Sequence, residues 1–244
     1  MRRAVVAVLA LALLAAACGK DRYEPKFGAA TKIVSVDNVT ALTVDGNHLY
    51  YGDPATDDVY RVRLRAPHTR VLIERVPNLK SLAVFRGQLH VSSDGHIAVD
   101  RDGRIYESVG GRIMQGSTII SKGWVNPFAF SIDARNRLFV ADQASDSGKE
   151  RTARGRENDV AKRNRFSAVL PKNSKPIGLA ILDDELLVCR STYRDVFRLH
   201  VGIDNTPRNR GVVKGLACTG AIATMADGSV VTATAHEIRR YPPR

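Results

Sequence analysis

One repeated unit limits what this chain can become. Its cleanest copy runs from Asn126 to Asp142, NPFAFSIDARNRLFVAD: an apolar strand, a polar turn at Asp133–Asn136, and a second strand ending on Ala141-Asp142. Four further copies align with it. Their first strands begin at Ala41, Ser81, Gly178 and Ala221, and their second strands at Leu49, Leu89, Leu186 and Val230. The pivots Leu42, Leu82, Phe130, Leu179 and Ile222 are 40, 48, 49 and 43 residues apart. Short apolar runs that alternate small with large side chains and end on turn residues read as strands.

A period of 40–50 residues with several strands in each unit predicts an all-β chain folded as a β-propeller. Third strands are expected at Asp58–Leu64 and Asp195–Val201, and fourth strands at Arg70–Val76 and Gly211–Lys214. Five four-stranded blades are the expectation, with six left open. The segments His96–Asp100 and Gly103–Ser108 also fit the unit, either as outer strands of a long second blade or as a degenerate blade of their own. After Ala221 the chain has room for three strands, and a lone strand, Lys32–Val36, stands before the first copy. Pairing that strand with the last blade would close the ring and cover an exposed sheet edge. The recurring pattern resembles NHL-type and SMP-30-like propellers over about residues 31–243.

The N-terminus carries a different signal. Met1–Cys18, MRRAVVAVLALALLAAAC, has two arginines, an eleven-residue apolar stretch (Ala4–Leu14) and three alanines before a cysteine. The layout is that of a secretory signal, too short to span a bilayer as a stable helix. Leu14-Ala15-Ala16-Ala17-Cys18 resembles a bacterial lipobox, with Ala15 where the commonest lipobox has Leu. The resemblance implies cleavage after residue 17 and multiple acyl chains on Cys18, an anchor that holds stably to a membrane. It also implies a cell-envelope location, with the outer membrane favoured because Gly19 is not an enterobacterial inner-membrane retention signal. Residues 18–30 read as a tether, and the domain is expected over 31–244.

Net charge is +12, of which Arg2 and Arg3 supply two. Such a surface favours anionic partners. Aromatics are only 6% of the residues and no Lys/Arg block is interleaved with them, so nucleic acid is not an expected partner. The pattern fails between Gln143 and Phe166, which hold seven Lys/Arg and four Asp/Glu; a charged loop is expected there, with Arg151, Arg154 and Arg156 as candidate contact residues.

Beyond Cys18 two cysteines remain, Cys189 at the end of a second strand and Cys218 just before the next unit's first strand. The repeat brings these positions close, and a disulfide between them would stabilise by about 3 kcal/mol. Asp45, Asp133, Asp183 and Asp227 end first strands, where lactone-hydrolysing propellers hold a divalent cation, but turns favour Asp there anyway. His90 and His96, six apart, are the one close histidine pair. No nucleophile elbow, phosphate-binding loop or zinc-protease motif occurs. The residues therefore point to a non-catalytic envelope lipoprotein with no cofactor, binding a protein, peptide or polysaccharide; the alternative is a metal-dependent propeller hydrolase or lactonase.

Overall fold

The computed structural model describes residues 26–142, 152–156, 168–169, 175–201 and 208–244. Strand β1 (Thr31–Ser35) comes first. Sheet 1 follows with β2 (Leu42–Asp45), β3 (His48–Asp53), β4 (Asp58–Arg63) and β5 (Arg70–Arg75). Sheet 2 has two strands, β6 (Ser81–Phe85) and β7 (Gln88–Ser92). Sheet 3 holds β8 (Ile97–Val99), β9 (Ile105–Val109), β10 (Arg112–Gln115) and β11 (Thr118–Lys122). Sheet 4 holds β12 (Pro127–Ile132), β13 (Leu138–Asp142), β14 (Thr152–Arg156) and β15 (Ala168–Val169). Sheet 5 holds β16 (Pro176–Leu182), β17 (Glu185–Arg190), β18 (Asp195–His200) and β19 (Arg208–Ala217). Sheet 6 is β20 (Ile222–Thr224), β21 (Val230–Ala233), β22 (Glu237–Tyr241) and, as its outermost member, β1.

Every pairing is antiparallel between chain neighbours except that of β1 with β22. The first strand thus completes the last sheet, as the strand count predicted. The innermost strands β2, β6, β8, β12, β16 and β20 surround one channel, so these small sheets form a propeller-like ring. No helix occurs among the described residues.

Burial follows the ring. Apolar clusters fill the space between sheets 1 and 2 (Ala41, Tyr50, Val59, Leu82), 3 and 4 (Tyr106, Ile113, Leu138, Val140), and 4 and 5 (Phe139, Leu179, Val188, Phe197). Others lie between sheets 5 and 6 (Leu187, Val196, Val230, Tyr241) and across the closure between 6 and 1 (Ile33, Leu49, Tyr51, Ile238). Sheets 2 and 3 meet instead through polar groups. Ser92 Oγ lies 3.0 Å from Glu107, and the Ile97 N–H donates to Ser81 Oγ at 3.1 Å.

Several expectations are corrected. The ring has six sheets, not five repeats with a long second blade. The β8 strand pairs with β9 and not with β7, so His96–Ser108 opens a sheet of its own. Its partners β10 and β11 escaped notice because tight turns with positive φ at Gly110, Gly111 and Gly116 pack short strands closely together. Part of the charged stretch is strand: Arg154 and Arg156 pair with Val140 and Leu138 through the backbone of β14. A TARGR strand gives no apolar alternation to read. Arg151 and Cys18 lie outside the described residues. Within the stretch expected to be a tether, Gly28 N–H donates to the Pro242 carbonyl at 2.7 Å, Arg244 N–H donates to the Lys26 carbonyl at 2.9 Å, and Phe27 packs on the cluster between sheets 5 and 6.

Candidate functional site at the channel mouth

First strands all run the same way along the channel, so their N-terminal ends share one mouth. Thr40, Lys80, Ser81, His96 and Phe128 line it, around a cavity of about 80 Å³. Farther in, small and aliphatic residues of the six inner strands enclose about 210 Å³.

His96 is held from several sides. Its N–H donates to Ser108 Oγ at 2.8 Å and its carbonyl accepts from Ser108 N–H at 2.9 Å. The Gly95 N–H donates to Ser92 Oγ at 3.1 Å. A Cβ at Gly95 would sit 1.9 Å from the Ser108 carbonyl oxygen, so only glycine lets the two chains approach this closely. The imidazole lies against Phe128, ring centroids 4.7 Å apart. Burial chiefly, and the Lys80 charge after it, push its pKa down to about 4. At neutral pH it is an uncharged donor and acceptor. Lys80 is exposed and anchored through Nζ to the Asp94 carbonyl at 3.0 Å. The mouth therefore presents one neutral imidazole, one cation, hydroxyls and an aromatic face.

Beside it, sharing Thr40 and Ala41, lies a second cavity of about 230 Å³ formed by Gly52–Pro54, Asp57, Asp58, Asn78 and Leu79. Its carboxylates are engaged: Asp53 with Arg70 at 3.2 Å, Asp57 with the Asn78 N–H at 3.3 Å, Asp58 with Arg75 at 3.0 Å. The Arg75 hydrogen bond is the main cause holding Asp58 below the usual carboxylate range. Small-molecule sites usually occupy about 300–1,000 Å³. A ligand of ordinary size at the mouth would therefore extend into the inner channel or the side cavity as well.

The fold is a β-propeller. No family model and no curated protein sequence matches the chain. Among solved structures it is similar to the PQQ-bound aldose sugar dehydrogenase of Streptomyces coelicolor, at 14% identity over 90% of this chain and 100% of that one, TM-score 0.61. The glucose dehydrogenase-type putative oxidoreductase of Thermus thermophilus gives 14% identity, 88% and 100% coverage, and TM-score 0.62. A catalytically inactive virginiamycin B lyase from Staphylococcus aureus, solved with quinupristin, gives 11%, 89%, 99% and 0.56. At these identities the likeness is one of fold.

The sequence-predicted candidates distribute unevenly over this ring. Cys189 and Cys218 are bonded, with Cα atoms 5.6 Å apart. Asp133, Asp183 and Asp227 sit at or near the other end of the channel, beyond the first strands' C-terminal ends, where turn chemistry occupies them. Asp133 Oδ1 accepts the N–H groups of Arg135 (2.9 Å) and Arg137 (2.8 Å), and Oδ2 takes the Arg137 guanidinium at 2.5 Å. Asp227 binds Ser229 N–H at 2.9 Å and Arg240 at 2.5 Å, and Asp183 sits at φ 54 in a two-residue turn. Asp45 ends β2 at the same level. Among the described residues no group of three or more His, Cys, Asp or Glu is gathered as a metal site would be. Sequence reasoning noted His96 only as one of a close histidine pair and missed its surroundings. The signal was there: a histidine opening a first strand, after Ser-Ser-Asp-Gly.

Proposed function

We propose that this chain is a lipid-anchored envelope propeller that binds a small, polar, uncharged or anionic ligand at the channel mouth and acts on it there. The observation that carries the reading is the neutral His96, fixed against Phe128 and backed by Lys80 at the axis. A neutral imidazole is able to accept or donate a hydrogen bond at neutral pH, and the ammonium is placed to favour negative charge developing on an oxygen. Hydrolysis or ring-opening of a sugar lactone or ester is the reaction class best suited to that pair. The solved neighbours are named as enzymes, two of them acting on sugars, which favours turnover over a passive scaffold. The metal-dependent form of the hydrolase reading gains no donor set from the described residues. Each sheet counts as a blade in this reading, the two-stranded one being a shortened sixth.

Anchoring rests on the Cys18 lipobox resemblance, and the Cys189–Cys218 disulfide fits an oxidising compartment. A non-catalytic binder is the second reading, favoured by the side-cavity carboxylates, all of which are already engaged. The test is a thermal-shift and turnover screen of sugar lactones, esters and the parent sugars, on the wild-type chain and on His96→Gln. Turnover lost in His96→Gln with binding retained supports catalysis at the mouth. Binding without turnover in the wild type supports the second reading. Hits insensitive to His96→Gln and to Lys80→Met would remove the site altogether.

A further inference from the structure

Sheet 2 stops after two strands where the others have four. Its hairpin turns through Arg86 and Gly87, both at positive φ, so Phe85 and Gln88 form a hydrogen-bonded pair. Alternation along the ladder makes Ala83 with His90 the next such pair. The N–H and C=O groups of Leu89 and Val91 therefore point to the far edge of β7. In sheet 1 the corresponding edge of β3 is covered by β4; on β7 no strand pairs there among the described residues.

Among the described residues no outer strand of sheet 2 stands between sheets 1 and 3, which leaves a notch at that point of the ring. On the sheet 1 side stand Val71, cross-strand from Arg61, and Ile73, the extra residue of a bulge. On the other, Ile105 and Val109 share a face with Glu107, which reaches Ser92 of sheet 2, and Ile119 is opposite Met114, itself opposite Glu107. These five residues are 37–48% exposed, and they make up most of the large apolar side chains exposed among the described residues. Contiguous exposed apolar surface around an open strand edge marks an interaction site.

We infer that the notch receives an extended segment of a partner protein, which adds to the β7 edge as the third strand of sheet 2. Main-chain bonds to Leu89 and Val91 would hold it, and apolar side chains on alternate positions would fill the notch. Charge selects the segment's chemistry. Arg61 and Arg63 on β4 share the face of Val59, which packs against sheet 2, and Arg112 on β10 is opposite Val109. The carboxylates on these two faces are Glu74, opposite Val59, and Glu107, already engaged by Ser92, so the three cations outnumber them. None of the three has a carboxylate partner among the described residues. The occupant therefore alternates apolar residues with Asp or Glu. A second copy of this strongly basic chain is disfavoured by the same charges, since it would bring like against like.

The inference is independent of the channel mouth. The test uses the full chain and two fluorescent octapeptides, one alternating Val or Ile with Glu and one with Lys in place of Glu. The acidic peptide is expected to bind at least tenfold tighter at low salt, with slowed hydrogen exchange at the Leu89 and Val91 amides. Arg61→Glu with Arg112→Glu should reverse the preference. The acidic peptide N-methylated on alternate residues should lose binding, which separates strand pairing from simple charge attraction without altering the protein. Equal binding of both peptides, unchanged exchange at Leu89 and Val91, or undiminished binding of the methylated peptide would overturn the inference. So would protection of those amides by concentration-dependent dimerisation alone.

Discussion

The turn that links first to second strand recurs around the ring with different degrees of burial, and that gradient gives a quantitative prediction. In sheet 4, Asp133 and Arg137 have side chains 5% and 3% exposed, and Arg137 also donates to the Val201 carbonyl of sheet 5 at 2.8 Å. In sheet 3, Asp100 accepts the N–H groups of Asp102 and Arg104 at 2.9 Å and the Arg104 guanidinium at 2.7 Å. Burial pushes its carboxyl up, but the bonds from Arg104, Asp102 and Tyr106 outweigh that and hold it below the usual range. In sheet 6, Asp227 and Arg240 make the most exposed version. Asp133→Ala takes the carboxylate away from a buried guanidinium and should cost about 3–5 kcal/mol, whereas Asp227→Ala, mainly an exposed pair, should cost about 1 kcal/mol or less. Asp100→Ala should fall between. For a chain of this length each kcal/mol moves the melting temperature by about 2–4 °C, so the first variant should melt about 10 °C lower and the last within a few degrees of wild type. Urea unfolding of the three variants reads the differences. Adding Arg137→Met to Asp133→Ala should recover part of the loss, because the buried charge no longer faces a missing carboxylate. Similar costs for Asp133→Ala and Asp227→Ala, or no recovery in the double variant, would refute burial as the cause.

Other outcomes follow from the same geometry. Replacing Cys189 and Cys218 with Ser opens a crosslink spanning a sequence separation of 29, worth about 3.5 kcal/mol in the loop-entropy account; reductant should destabilise the wild type equally and leave the variant unaffected. Because His96 is depressed to about 4 against an unfolded value of 6.5, the unfolded chain binds the extra proton between those values, and stability should fall as pH drops from 6.5 to 4. The full shift corresponds to about 3 kcal/mol, and partial solvent access reduces it to about 1–2; His96→Gln should flatten that slope in pH-dependent urea titrations. Gly95→Ala forces a Cβ into the Ser108 carbonyl and should cost about 2 kcal/mol or more, together with a displaced His96 ring resonance in the NMR spectrum.

The strands that sequence alone located are those whose side chains alternate because one sheet packs on the next. β2, β3, β12, β13, β16 and β17 all match to within about two residues, since the apolar clusters between sheets impose the period read from the chain. The pairing of Lys32–Val36 with the last sheet came from strand counting and hazard avoidance, and β1 lies where that argument put it. Outer strands were harder. β4, β5 and β18 lie where Asp58–Leu64, Arg70–Val76 and Asp195–Val201 were expected, but β14 is a run of Thr, Ala, Arg and Gly that gives no apolar alternation to read. At the candidate site, His96 was visible as a residue but not as a neutral one. Its state depends on burial and on Lys80, and its ring lies against Phe128; these come from different sheet segments and share no local signal.

Both the mouth and the notch fall at the least regular part of the repeat. Between Phe85 and Ile105 the unit loses two strands, the apolar cluster joining sheets 2 and 3 gives way to serines, and a glycine draws Ser108 against the backbone before His96. A ring selected for stability alone would repeat its best unit. Replacing apolar packing by Ser81, Ser92 and Ser108 gives up burial that the other interfaces keep, and a β7 edge with no strand partner among the described residues adds an aggregation hazard. Local departures from otherwise consistent rules concentrate where function imposes its own demands. The same short segment positions His96 at the axis and exposes the β7 edge at the rim. A restored four-stranded second sheet would therefore be expected to gain stability while losing the notch, and to leave the mouth intact only if Gly95 and Ser108 kept their contact.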